Sequence, residues 1–281
     1  MKNYRAASSV IAGFFLAAVC SACVVEQPPE DDVDEGVELE KKPPPVVMDG
    51  PDGNNGMLPL CFWDHATQSA LRSIGATTMV DAQGKLRSMA LPLLCGHVAD
   101  YMVQCALPDG DSVTDSAGKV YAGRYGLAPA WKTAPLDTKA QRWMTSCMIE
   151  LLNGLGQKWP VMLSGNHTSL SPGPGDDTST YDIKESAAFG NLFTGKWSLL
   201  APAFTAYVCT EQPLLNLCTL TSTVLSLRLC DASPLCGLKL LGQCKDVCAD
   251  DGAGNWDCSS YGFDEVVRVN IRSDDVLLLC Q

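Results

Sequence analysis

Cysteine is the residue type in this chain with the greatest capacity for chemistry. The sequence holds 14 cysteines, and 12 remain after residue 57 once Cys20 and Cys23 are set aside. An even number in an exported chain predicts disulfides, with the pairing left open. Zinc is the alternative, but the part after residue 57 has no Cys-x-x-Cys pair. The cysteines concerned are Cys61, Cys95, Cys105, Cys147, Cys209, Cys218, Cys230, Cys236, Cys244, Cys248, Cys258 and Cys280.

Histidines and acidic loops are the other candidate metal ligands. His65, His97 and His167 are scattered along the sequence, whereas a zinc site needs three or four ligands close together. Residues 250–257 offer carboxylates and turn-forming glycines to calcium, but they do not follow the alternating ligand pattern of an EF-hand loop. We therefore predict no metal ion and no cofactor.

The one candidate nucleophile is Ser112, within the string Gly-Asp-Ser-Val of residues 110–113. This string resembles the nucleophile block of the lipase and esterase family named for its Gly-Asp-Ser motif. In that family the serine follows a strand, and a distant Asp-x-x-His supplies the general base. Here the preceding residues have a helical pattern, and no histidine has an aspartate three residues before it. We predict no catalytic residue, and a turn in which Asp111 and Ser112 cap backbone groups.

The first 22 residues have the pattern of a signal peptide. Lys2 and Arg5 precede an apolar or small stretch over residues 6–19, which is too short to span a bilayer. Ala22 then provides the small residue that a lipoprotein signal peptidase requires before its cysteine. We therefore predict lipidation of Cys23 and location at the bacterial outer membrane or cell surface. Ordinary cleavage near Ala22 is the alternative, and it would give a periplasmic or secreted protein.

Residues 23–56 are predicted to form a disordered tether behind the lipid anchor. Residues 24–56 contain ten acidic residues, two lysines and six prolines, so they cannot bury enough apolar surface to order themselves. The net charge of the whole chain is −12, of which the leader contributes +2 and the tether −8, which leaves −6 for residues 57–281. This acidic balance without basic clusters argues against a nucleic-acid partner.

The Cys-rich globular part, residues 57–281, has a helical first half. Apolar residues recur there at three- and four-residue spacing, which is the period of a buried helix face. Thr138 and Gln141 have the spacing of a capping box. The predicted helices cover residues 66–74, 91–107 and 139–153.

Beyond residue 156, where the domain has a possible division, the chain is predicted to be β-rich and stapled by disulfides. Short runs of β-branched and aromatic residues are separated there by Gly, Pro and Asp. In the last run Val267, Val269 and Ile271 alternate with polar residues, as in a half-buried strand. The predicted strands cover residues 160–164, 204–208, 220–229 and 266–271. The predicted fold class is therefore α+β.

Several blocks of the globular part resemble a family of Cys-rich predicted secreted proteins and lipoproteins of myxobacteria. The resemblance covers roughly residues 60 to 260 and implies export and a Cys-rich fold. The family has no established activity, so the resemblance implies no site residue. The blocks that carry it are residues 105–108, 110–113, 125–131, 141–147, 188–193 and 207–209.

Two hypotheses of function follow. The first is a non-catalytic envelope lipoprotein, structural or adhesive, whose tether holds a rigid head off the membrane and presents it to an envelope protein or glycan. The second is a secreted hydrolase with an unrecognised active site. A cleft that gathers His97 or His167 with a serine or aspartate would favour the hydrolase.

Overall fold

The computed structural model describes residues 53–154, 158–170, 179–194, 205–211, 225, 228–230 and 237–277. Its strands are β1 (Gly53–Asn55), β2 (Ser112–Thr114), β3 (Val120–Ala122), β4 (Trp159–Gly165), β5 (Ile183–Asn191), β6 (Thr205–Thr210), β7 (Lys239–Gln243), β8 (Ala249–Asp250), β9 (Trp256–Asp257) and β10 (Val267–Ile271). Its α-helices are α1 (Pro59–Trp63), α2 (His65–Gly75), α3 (Val98–Ala106), α4 (Thr138–Glu150), α5 (Cys244–Val247) and α6 (Ser273–Leu277). Short 3₁₀ turns lie at Leu93–Cys95, Pro129–Lys132 and Ser259–Tyr261. The predicted α+β class is confirmed.

Six strands form one mixed sheet in the order β1-β4-β10-β5-β6-β7. Neighbouring strands are antiparallel except β6 and β7, which pair in parallel. The late strand β10 lies between β4 and β5, which precede it by about a hundred residues in the chain. This insertion brings side chains from three distant segments next to one another at the centre of the sheet.

Helix α4 covers one face of the sheet, and α3 packs against α4. Helix α4 packs against β5 and β10, and the disulfide Cys105–Cys147 links α3 to α4. The carboxylate of Asp137 caps α4 by accepting a hydrogen bond from the backbone N–H of Ala140 at 2.7 Å. The helix predicted over 139–153 is thus confirmed with a small shift, but the capping role predicted for Thr138 is wrong. Asp137 takes that role because its backbone is extended, as an N-cap residue requires.

The other face of the sheet is covered by a cross-linked segment, residues 244–263. Side chains alternate along β6, so Val208 packs under the helices and Cys209 packs in a second apolar cluster on the opposite face. The disulfides Cys209–Cys244 and Cys248–Cys258 hold this cover against the sheet. One face of the sheet is therefore buried by helix packing and the other by a cover that disulfides hold in place.

Disulfide bonding, predicted from the cysteine content, is shown in the described part of the chain. The four pairs there are Cys61–Cys95, Cys105–Cys147, Cys209–Cys244 and Cys248–Cys258. Cys230 is disulfide-bonded as well. Cys218, Cys236 and Cys280 lie outside the described residues.

Two predicted elements differ from the structure. The helix predicted over 91–107 is a 3₁₀ turn, Leu93–Cys95, and a separate helix, α3, with the poor helix former Gly96 between them. The strand predicted over 220–229 is wrong where the structure describes it, because Leu225 and Leu229 are helical and buried. Their four-residue spacing suits one helix face, and a short apolar run has the same composition in either element.

Two further expectations are corrected at the sheet. Strand β10 is buried on both faces rather than half-buried, since Arg268 and Asn270 are only 7% and 5% exposed. Both polar side chains are buried because the cover, residues 244–263, lies over this face of the sheet. In addition, Gly53–Asn55 pair with β4, so the last residues assigned to the tether belong to the sheet.

Candidate functional site

The candidate nucleophile, Ser112, begins the short hairpin of β2 and β3. Gly110 has a positive φ of 81°, which glycine adopts without strain, and the backbone N–H of Asp111 donates to the carbonyl of Pro108. The carboxylate of Asp111 pairs with the ammonium of Lys132 at 3.2 Å. A turn is present at these residues, but the Asp111 carboxylate pairs with Lys132, and the hydrogen bonds described there show neither the predicted backbone capping by Asp111 and Ser112 nor a histidine partner.

The histidines make separate local contacts. The imidazole of His97 accepts a hydrogen bond at Nε2 from the backbone N–H of Leu58, and its Nδ1 lies 3.1 Å from the carbonyl of Leu94. His167 lies edge-on to Trp143 and accepts at Nδ1 from the backbone N–H of Ser169. Burial lowers the pKa of both rings. In the described ranges no three His, Cys, Asp or Glu side chains group closely enough to hold a metal ion.

The acidic loop between β8 and β9 uses its carboxylates to fold itself. One oxygen of Asp251 accepts from the backbone N–H groups of Ala253 and Asn255, and Asp250 accepts from that of Gly252. These hydrogen bonds lower the pKa of Asp251, most strongly through Asn255. The loop is thereby a self-capped turn, which reduces the oxygen atoms free for calcium.

A buried ionic cluster joins α4, β5 and the helical residues near 228. The guanidinium of Arg228 contacts the carboxylates of Glu185 at 2.7 Å and Glu150 at 3.3 Å, and Ser186 donates to Glu150 at 2.9 Å. Burial raises the pKa of Glu150 to about 8 despite the nearby arginine. No local pattern in the sequence indicates this cluster, because its members come from three separate segments of the chain. Since all four side chains are buried, the cluster is inaccessible to a ligand and is a structural feature.

A cavity of about 320 Å³ opens on the covered face of the sheet. Its floor is formed by β4, β10 and β5, where Asn270 is paired with Met162 on one side and Lys184 on the other. The β8–β9 loop forms the opposite wall. The lining residues are Met162, Ser164, Tyr181, Asp182, Lys184, Ala253, Gly254, Asn255, Arg268 and Asn270.

The walls of this polar cavity are fixed by interactions within the fold. Arg268 is held by both carboxylate oxygens of Glu211 and by the carbonyl of Gly254. Asp182 accepts a hydrogen bond from the backbone N–H of Ser273, which lowers its pKa and keeps the carboxylate ionised. Lys184 is exposed and makes no salt bridge within the described ranges. The cavity therefore presents a carboxylate, two amides, a hydroxyl and an ammonium that makes no salt bridge in the described ranges. The Asn255 amide donates to Asp251 at 3.2 Å and the Asn270 amide to Ser164 at 3.4 Å, so their amide oxygens are the groups left for a ligand.

No protein-family model, curated protein or solved structure matches this chain. The site is therefore interpreted from its own chemistry. Within the described ranges no helix has both the length and the hydropathy to cross a bilayer.

A second, larger depression of about 750 Å³ runs along α2. Its charged side chains are engaged locally: Arg87 donates to the carbonyl of Thr78, and Asp81 accepts from the backbone N–H of Gln83. Small residues such as Ala66 and Ser69 form much of the rest of its lining. The polar cavity is the better candidate site, because it presents an anchored carboxylate and a lysine that forms no salt bridge with any residue the structure describes.

Proposed function

We propose that this chain is a non-catalytic lipoprotein of the bacterial cell envelope that binds an acidic glycan in the polar cavity. The observation that supports the proposal most is Lys184, a lysine without a salt bridge in the described ranges, beside Asp182, Asn255 and Asn270. An ammonium pairs with the carboxylate of a sugar acid, while amides and a carboxylate hydrogen-bond its hydroxyl groups. The volume lies at the lower end of the range for small-ligand sites.

The disulfides support the location. Four pairs in the described part fit an oxidising compartment outside the cytoplasm. Within the proposal, Cys23 carries the lipid, and residues 24–52 connect the anchor to β1. A flexible chain of 29 residues has an r.m.s. span of about 30 Å, enough to reach a ligand beyond the headgroups.

Glycan binding is tested by calorimetry with oligosaccharides of galacturonic or glucuronic acid, and with neutral gluco-oligosaccharides for comparison. We expect Lys184→Gln to weaken binding of the acidic series roughly tenfold, because it removes one charge-assisted hydrogen bond. Lys239→Gln is the matched control, since Lys239 is an exposed lysine on β7 of the same sheet. Equal affinities for wild type and Lys184→Gln would refute the site.

The hydrolase alternative is tested with the same sugars. We expect no cleavage products, and no change in ligand affinity in Ser112→Ala or His167→Ala. Cleavage by the wild type that either substitution abolishes would replace the binding proposal with the hydrolase. Deletion of residues 24–52, which retains β1 and Cys23, should impair the cellular role while leaving glycan affinity in solution unchanged.

A further inference from the structure

Two segments of the chain without Asp, Glu, Lys or Arg, residues 53–63 and 88–99, meet at the disulfide Cys61–Cys95. Both expose leucine there instead of polar side chains. We call the side chains of Leu58, Leu60, Leu93 and Leu94 the leucine surface. Their exposed fractions are 43% for Leu58, 69% for Leu60, 98% for Leu93 and 79% for Leu94.

The backbone that carries the leucine surface is fixed. The disulfide joins α1 to the 3₁₀ turn Leu93–Cys95, with a Cα–Cα distance of 5.2 Å. His97 adds a second link, because its ring contacts the backbone N–H of Leu58 and the carbonyl of Leu94 at 3.2 and 3.1 Å. The leucines are therefore presented on an ordered scaffold, so little backbone entropy is lost when they bind.

Exposure of this extent needs an explanation. Single exposed leucines are ordinary, but a contiguous apolar patch of several hundred Å² marks an interaction site. Leu93 and Leu94 are adjacent and protrude almost completely into solvent, so they form a projection rather than a groove. Projecting side chains of this kind can insert into a fluid apolar phase such as the interior of a lipid bilayer.

We propose that the leucine surface is a membrane-docking surface that inserts its side chains into a lipid bilayer. A second copy of the chain is the less favoured occupant, because a stable protein interface buries about 800 Å² on each partner, more than four partly exposed leucines provide. Shallow insertion needs less area, since each leucine that leaves water contributes independently.

The charges around the leucine surface fit anionic lipid headgroups. The exposed Lys158 lies against Gly56, next to Leu58. Lys119 is paired with Asp100 at 2.8 Å, and both act electrostatically on His97. The three charged groups that act on His97 in the described residues, Lys158, Lys119 and Asp100, sum to one net positive charge, and Asp64 at the end of α1 lies on the side of Leu60. The positive charge beside His97 adds electrostatic attraction to apolar insertion at that side of the leucine surface.

The position of the leucine surface in the chain supports the same occupant. Leu58 follows β1 by three residues, and 29 residues separate β1 from Cys23. If Cys23 is lipidated, as the proposed function states, a chain of this length keeps the leucine surface at a high effective concentration beside the bilayer. Weak insertion then suffices to hold the leucine surface at the bilayer.

The test uses the full mature chain with Cys23→Ser, so that no lipid anchor contributes. Flotation with vesicles of phosphatidylethanolamine and phosphatidylglycerol measures the partition coefficient. We expect measurable binding, a loss of at least tenfold in Leu93→Ser/Leu94→Ser, and a gain in Leu93→Trp, because tryptophan favours the interface. Leu240→Ser is the matched control, since Leu240 is 49% exposed on β7.

The proposal is overturned if the chain does not float with vesicles, or if Leu93→Ser/Leu94→Ser floats as well as the wild type. Sedimentation in the absence of lipid gives a further check. Self-association that this double substitution abolishes, without vesicle binding, would identify a second copy as the occupant. None of these results depends on Lys184, so the glycan proposal stands or fails separately.

Discussion

The guanidinium of Arg228 lies 2.7 Å from the carboxylate of Glu185, and both side chains are almost completely removed from solvent. The same arginine donates to the carbonyls of Glu150 and Leu152, so it also ties the end of α4 to its own helical segment. The pair therefore connects the sheet to the helical layer through charge as well as through apolar packing.

Substitution Arg228→Met is expected to destabilise the fold by about 3–5 kcal/mol, because it leaves the carboxylate of Glu185 buried without its cation. Denaturant unfolding followed by circular dichroism measures the change. Arg272→Met is the control: its ion pair with Asp275 is partly exposed and is worth less than about 1 kcal/mol. Similar losses in the two variants would contradict a special role for the buried pair.

Glu150 should make the protein less stable at alkaline pH. Burial raises its pKa to about 8, above the unfolded value, so the folded state retains a proton that the unfolded state has already lost. Between pH 5 and 8 this carboxyl therefore lowers the free energy of unfolding as pH rises, with a limiting slope of about 1.4 kcal/mol per pH unit. Glu150→Gln, which resembles the protonated form, should remove that part of the slope. An unchanged pH profile in the variant would show that Glu150 is ionised in the fold.

His97 should have the opposite effect at acidic pH. Burial lowers the pKa of its ring, so the unfolded state takes up a proton first as pH falls below about 6.5. Folding stability is then lost until pH passes the folded pKa, by less than about 1 kcal/mol because the ring is partly exposed. Glutamine does not titrate, so the thermal midpoint of His97→Gln should fall less than that of the wild type between pH 7 and pH 5. Parallel profiles for the two proteins would rule out this contribution.

Reduction of the disulfides should release the cover before the helical layer. Residues 244–263 contain only short helices and strands. They are held by Cys209–Cys244 and Cys248–Cys258, and each disulfide contributes roughly 3 kcal/mol to the free energy of unfolding. Helices α3 and α4 instead retain a packed apolar core. Limited proteolysis with mass spectrometry after mild reduction should give its first cuts in residues 244–263. First cuts within α3 or α4 would contradict this order.

The sequence predicted best the features that depend on local pattern. Helix α4 was located by its apolar period and by polar residues at its start, and β10 by its alternation. The burial of Arg268 and Asn270 was not predictable, because it depends on a cover that the chain folds over the sheet from residues 244–263. A period of two reports which side chains share a face, but it does not report what lies above that face.

The candidate site was less predictable than the fold. Lys184, Asn255 and Asn270 are separated by up to 86 residues, and their proximity results from the insertion of β10 between β4 and β5. The residues with the most suggestive local motifs, Ser112 and the histidines, lie at turns and element ends. The order of the strands decides which side chains meet, and this order leaves no local pattern in the sequence.

The short strand β1 determines how the domain responds to a pulling force. Load applied to the chain before Gly53 first reaches three residues that pair with β4 alone, at the edge of the sheet. Beyond them the backbone N–H groups of Gly56 and Met57 donate to the carbonyl of Leu151, and the side chain of Met57 is fully buried. Load that reaches Cys61 passes through the disulfide to Cys95 and bypasses the residues between the two cysteines. Strand β1 is thus the first element that a load applied before Gly53 would detach, and the disulfide shields the loop it closes from that load.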